Sequence, residues 1–207
     1  MKKVFLLISF FLVCFCLVSC RANDITTNDI IISQEQVNNR MLYHEMRNAA
    51  FDSVFSDSLY KEDYQQYWEK VWKSTEEDAV IRELVKARIL RQVCEINNIT
   101  LCSRATTDSL ARKEFEQMKT DTAQTTFYNH LTALWEKHSV SEAAFLDMTL
   151  EYAYDFYSYE DAKQQLRPIY FNASSSQSLE EQFQKYTDKL VEEVHIRCDN
   201  GIYQVVK

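Results

Sequence analysis

The stretch Leu84-Val85-Lys86-Ala87-Arg88-Ile89-Leu90-Arg91-Gln92-Val93-Cys94-Glu95-Ile96-Asn97-Asn98 decides the fold. With Val80 and Ile81 ahead of it, its apolar residues cover more than one face of a helix, the pattern of a central helix packed on two sides. Thr75 with Asp78, or Ser74 with Glu77, supplies the cap at its start, and Asn97-Asn98 supplies the stop. Around this helix the 207 residues hold one glycine, Gly201, and one proline, Pro168, where average usage would supply roughly 14 and 10. Phosphate-cradling loops, dinucleotide fingerprints and nucleophile elbows need glycines at turns and close approaches, so none of them is present. All-β architectures are disfavoured for the same reason, because their hairpins draw on Gly and Pro at regular intervals. A hydrophobic content of 46% with 26% charged residues suits one globular domain with a real core. The expected fold is mainly α.

Outward from the central helix, local signals mark further elements. Ile30-Ile31-Ile32 reads as a short strand, and Ser33 with Gln36 has capping-box spacing for a helix through about Phe51. Tyr60, Tyr64, Tyr67, Trp68 and Val71 recur at helical intervals between about Asp57 and Trp72. Thr106 or Thr107 starts a helix to about Lys119, and Phe127, Leu131, Leu134 and Trp135 mark the next. Ser139 with Glu142 opens a long helix through Leu166, closed by Pro168. Asn172 to Ser178 is a serine-rich linker, and Ser178 with Glu181 caps a final helix through Val191. Val194, Ile196 and Cys198 then alternate with His195 and Arg197 ahead of Asp199-Asn200-Gly201, which predicts a C-terminal β-hairpin on a type I′ turn.

At the other end, Lys2 and Lys3 precede an apolar run from Val4 to Val18, the charged and hydrophobic regions of an export signal. The run is too short to span a bilayer, which takes about 20 apolar residues. It ends in Leu17-Val18-Ser19-Cys20, which resembles the bacterial lipobox. The resemblance implies a signal peptide over residues 1–19, diacylglyceryl attachment at Cys20, a lipidated tether over 20–29 and a domain over 30–207. The chain is then extracytoplasmic, held to a bacterial membrane by lipid, and two or three acyl chains anchor stably at about 0.8 kcal/mol per buried methylene.

The net charge is -8, and no strong basic patch offsets it, so nucleic acid is not an expected partner. The densest basic segment, Arg82, Lys86, Arg88 and Arg91, reads as a solvated helix face. His44, His130, His138 and His195 form no metal-binding spacing, and the Glu pairs at 76–77, 180–181 and 192–193 read as capping and solubility, so no catalytic residue, metal or cofactor is assigned. Cys94, Cys102 and Cys198 remain after the leader and Cys20, and buried free thiols are the favoured reading. Tyr152, Tyr154, Phe156, Tyr157 and Tyr159 crowd a turn and a half of helix, too many for one core seam. Some of them are expected to be exposed or to line a groove, the alternative being that most pack between helices.

The blocks Ile30-Ile31-Ile32-Ser33-Gln34-Glu35-Gln36-Val37, Leu84 to Ile99, Ser103 to Lys119 and His138 to Phe145 together resemble the N-terminal chaperone domain of SurA and PrsA foldases. That resemblance implies a holdase for unfolded or exported polypeptides, with the first strand and the last hairpin closing one helical domain. The interval where such foldases carry a parvulin isomerase is here only Pro168 to Gln177, so prolyl isomerase activity is not expected. The expected client-binding residues are Trp68, Trp135, Tyr152, Phe156 and Tyr157. The alternative is a structural or adaptor lipoprotein with one dedicated envelope partner.

Overall fold

A computed structural model describes residues 30–55, 71–122 and 124–206. Cys20, Trp68 and most of the helix expected over 57–72 lie outside the described residues. The chain is mainly helical, with strand β1 (Ile31–Ser33) followed by helices α1 (Gln34–Phe55), α2 (Glu77–Ile96), α3 (Arg104–Thr120), α4 (Thr125–His138), α5 (Glu142–Gln165), α6 (Arg167–Tyr170) and α7 (Leu179–Glu192). Strands β2 (His195–Asp199) and β3 (Ile202–Val206) complete it.

The sheet runs β1-β3-β2, antiparallel throughout, with Ile32 opposite Tyr203 and Arg197 opposite Gln204. Ile30 and Ile32 are buried and Ile31 is exposed, the alternation of a strand with one solvated face. Asn200 and Gly201 both take positive φ, 49° and 73°, as a type I′ turn requires. The Gln34 amide at the start of α1 donates to the Gly201 carbonyl at 2.7 Å, so the hairpin docks on the first helix.

Capping explains the helix starts, with two corrections. Ser33 and Gln36 exchange reciprocal bonds at 3.0 and 3.2 Å, and Ser178 with Glu181 forms the second capping box. At α2, however, neither Ser74 nor Thr75 is the cap: Glu76 stands there without a side-chain bond. Ser74 lies in the preceding turn, its hydroxyl accepting from the Glu76 amide at 3.3 Å. At α5 the cap is Ser141, accepting from the Ala144 amide, while Ser139 sits in the left-handed region at the end of α4. Helix α3 starts two residues earlier than Thr106, because Ser103 caps it. Pro168 lies in the first turn of α6, where a missing N–H costs nothing.

Helix α2 is buried on several faces, as expected of a central helix, and packs against α1, α5 and α7. A small apolar cluster joins Ala111 of α3 to Leu150 and Ala153 of α5, and two larger ones form most of the core. One gathers Ile32, Val37, Leu84, Leu90, Tyr159, Leu166 and Phe183 beneath the sheet and α7. The other gathers Tyr43, Met46, Phe115, Leu131, Trp135, Phe145 and Tyr152 among α1, α3, α4 and α5. Helix α5 runs through both. Among the described residues no helix is long and apolar enough to cross a membrane.

Candidate binding cleft

Where the two larger clusters meet, each of three helices contributes a charge to the interior. On α1, Arg40 stands between Val37 of one cluster and Tyr43 of the other; on α5, Asp155 stands between Tyr152 and Tyr159; and α2 supplies Glu83. Arg40, Glu83 and Asp155 are 4, 8 and 6% exposed. Buried charges persist only when paired. The Arg40 guanidinium bonds Glu83 through Nη1 and Asp155 through Nη2, the latter at 2.7 Å, and Arg91 Nη1 takes the other Asp155 oxygen at 2.7 Å. Burial works to lower the pKa of Arg40, but the two carboxylates outweigh it and hold the guanidinium charged. Burial pushes the Glu83 carboxyl up to about 7 against the pull of Arg40.

His44 completes this layer. Its Nδ1 lies 2.6 Å from the Ser74 carbonyl, which only accepts, so Nδ1 carries the proton. Its Nε2 is 3.6 Å from Glu83 Oε1, beyond hydrogen-bond reach. Burial, with Arg40 and Arg47 nearby, lowers the His44 pKa to about 3 and keeps the ring neutral.

Above the buried ion pairs opens a cleft of about 630 Å³. Helical spacing sets its walls: Glu35 and Asn39 from α1, Leu84, Arg88 and Arg91 from α2, and Asp147, Glu151 and Tyr154 from α5, with Arg104 entering from α3. The Arg91 and Arg104 guanidiniums lie over the Tyr154 ring at 4.7 and 5.1 Å. Arg104 also pairs with Asp108 at 2.7 Å and Glu151 at 2.8 Å. Arg88 donates to the Ile31 carbonyl of β1. The cleft therefore offers charges of both signs beside half-buried Met148, with Leu84 and Leu150 buried beneath, a surface suited to non-covalent recognition of a polar chain with some apolar area.

Of the expected groove aromatics, Trp135, Tyr152, Phe156 and Tyr157 do not line this cleft, and Trp68 lies outside the described residues. Trp135 and Tyr152, 5 and 6% exposed, are core residues and do not line a groove. Trp135 packs 5.1 Å from Phe145, while Tyr152 stacks on Phe156 at 5.6 Å and sits 5.1 Å from Tyr43. Phe156, half-buried, also meets Trp72 edge-on at 5.9 Å. Tyr157 is half-buried, and its hydroxyl donates to Glu114 at 2.9 Å. The structure thus gathers Trp135, Tyr152 and Phe156 in or against one apolar cluster, and none of the three lines the cleft. The aromatic surplus is absorbed because α5 is buried on two sides, so it feeds two cores.

The basic segment is not a solvated face either. Only Arg82 is exposed; Lys86 pairs with Asp188 at 2.9 Å, and Arg88 and Arg91 line the cleft. Asp155, an acid inside an aromatic run, was the signal that could have located the site, since a carboxylate on a buried face requires cations. Of the three thiols, all free, Cys94 is buried, Cys102 half-buried and Cys198 exposed on β2, so burial holds for the first alone. No protein-family model, no curated protein and no solved structure matches the chain.

Proposed function

We propose that the chain is a lipid-anchored, extracytoplasmic chaperone module that holds unfolded exported polypeptides, without covalent chemistry and without prolyl isomerase activity. The leader and Leu17-Val18-Ser19-Cys20 support the anchor. The observation that carries the binding half is the open cleft between α1, α2, α3 and α5, whose mixed charges, Tyr154 ring and half-buried Met148 suit an extended backbone with varied side chains. This seat replaces the aromatic groove, and Tyr154 is the member of the aromatic run that it retains. The full chain, purified in detergent, is expected to suppress aggregation of a chemically unfolded exported protein at equimolar ratio. Undiminished aggregation would contradict the reading.

The burial of the aromatics favours a second reading. Ile31, Leu110, Ile169 and Ile202 are the large exposed apolar residues among those described, few for a surface serving many clients. An adaptor lipoprotein with one dedicated envelope partner fits such a surface. Affinity capture after in-membrane cross-linking separates the two: many unfolded clients support the chaperone, and one stoichiometric partner supports the adaptor.

A further inference from the structure

Four arginines line the cleft, and three of them are neutralised by carboxylates: Arg40 by Glu83 and Asp155, Arg91 by Asp155, and Arg104 by Asp108 and Glu151. Arg88 is different. Among the described residues it makes no ion pair, and the bond it donates goes from Nη1 to the Ile31 carbonyl. A guanidinium carries five N–H donors in a planar fork, so most of its capacity is left for the cleft. Its side chain is half-buried, and burial lowers its pKa despite the pull of Asp155 and Glu151, neither of which forms an ion pair with it. A partly desolvated cation beside an open cleft is stabilised by any oxyanion that completes it.

We propose that Arg88 is the seat for a single carboxylate of the bound polypeptide. The inference rests on the reading of the cleft as a polypeptide site. The surrounding charges narrow the ligand. Glu35, Asp147 and Glu151 stand on the same walls, so each further charge of a polyanion such as a polyphosphate or an acid-rich segment adds repulsion, and a single carboxylate meets the least. Half-buried Met148 offers apolar area for the side chain next to that carboxylate. A chain end meets these conditions, and so does one Asp or Glu in an otherwise uncharged segment.

The test uses the full chain in detergent with three fluorescently labelled decapeptides of one uncharged sequence: one with a free C-terminal carboxylate, one amidated, and one amidated with a single internal Glu. Charge-assisted bonds of this kind are worth about tenfold or more in affinity. Binding of the free-acid peptide is expected to exceed that of the amidated peptide by roughly tenfold, and Arg88→Gln should erase the difference while Arg88→Lys keeps part of it. If the Glu peptide regains the lost affinity, side-chain carboxylates use the seat too; if it does not, the seat reads chain ends, and both outcomes support it. Equal binding of all three peptides by the unaltered chain would overturn the carboxylate seat and leave polypeptide binding standing. Binding of none would overturn both. An undiminished difference in Arg88→Gln, with circular dichroism unchanged, would also overturn the seat.

Discussion

Asp155 is the carboxylate on which the buried charge layer turns. It interrupts Tyr152-Ala153-Tyr154 and Phe156-Tyr157, and its two oxygens hold Arg40 and Arg91 across three helices. The aromatic run itself was legible as a feature, but its partners lie 115 and 64 residues away along the chain, so no local spacing announces them. The same layer sets an acid-range balance. Glu83, raised by burial from an unfolded value near 4.5 to about 7, binds its proton more readily in the folded state, so stability rises as pH falls from 7 to 4.5. His44, lowered from 6.5 to about 3, binds its proton more readily when unfolded, so stability falls as pH drops through 6.5. Between pH 6.5 and 4.5 the two trends oppose, and denaturant unfolding of the unaltered chain should owe little net pH slope to this pair. Glu83→Gln leaves His44 alone, and its stability should fall relative to the unaltered chain by up to about 1.4 kcal/mol per pH unit on acidification. Parallel pH profiles for the two proteins would contradict this account.

Among the elements, the scarcity of glycine has a structural counterpart. Asn98, Ser139, Asn200 and Gly201 take positive φ, so non-glycine residues carry three of the four left-handed positions found among the described residues. At the end of α2 the Ile99 amide reaches the Cys94 carbonyl at 2.8 Å and the Asn98 amide reaches that of Glu95 at 2.9 Å, the bond pair of a Schellman motif. At the end of α4, Val140 and Ser139 make the same pair to Trp135 and Glu136 at 2.8 and 3.2 Å. Serine is poorly suited to that conformation, so Ser139→Gly is expected to stabilise the fold by about 0.5–1 kcal/mol in denaturant titrations. Gly201→Ala should destabilise it by about 1 kcal/mol or more, because φ is 73° and an added Cβ would stand 3.3 Å from Gln34 Cβ. The opposite signs would contradict the backbone account. The two capping boxes at Ser33 and Ser178 were readable because both partners sit within four residues. Ser74 and Ser139 were not, since the turn before α2 is held by a bond to His44 and the end of α4 claims Ser139.

At the scale of the whole molecule, α5 threads both larger apolar clusters, α2 packs on three helices, and β1 pairing with β3 ties residue 31 to residue 204. The mainly α class, the short first strand and the terminal hairpin were legible from glycine content, periodicity and the Asn-Gly turn. The site was not, because a cleft is made by the crossing of distant helices, and periodicity reports only which face of each helix is apolar. The central claim is that polypeptide sits in that cleft. Site-specific photo-cross-linking tests it most directly, with a photoreactive residue placed at exposed Asn39 on the cleft wall and, as a control, at exposed Lys185 on α7. With an unfolded exported protein present, position 39 should cross-link to the client and position 185 should not. Equal yields at the two positions, or client captured at 185 alone, would contradict the account.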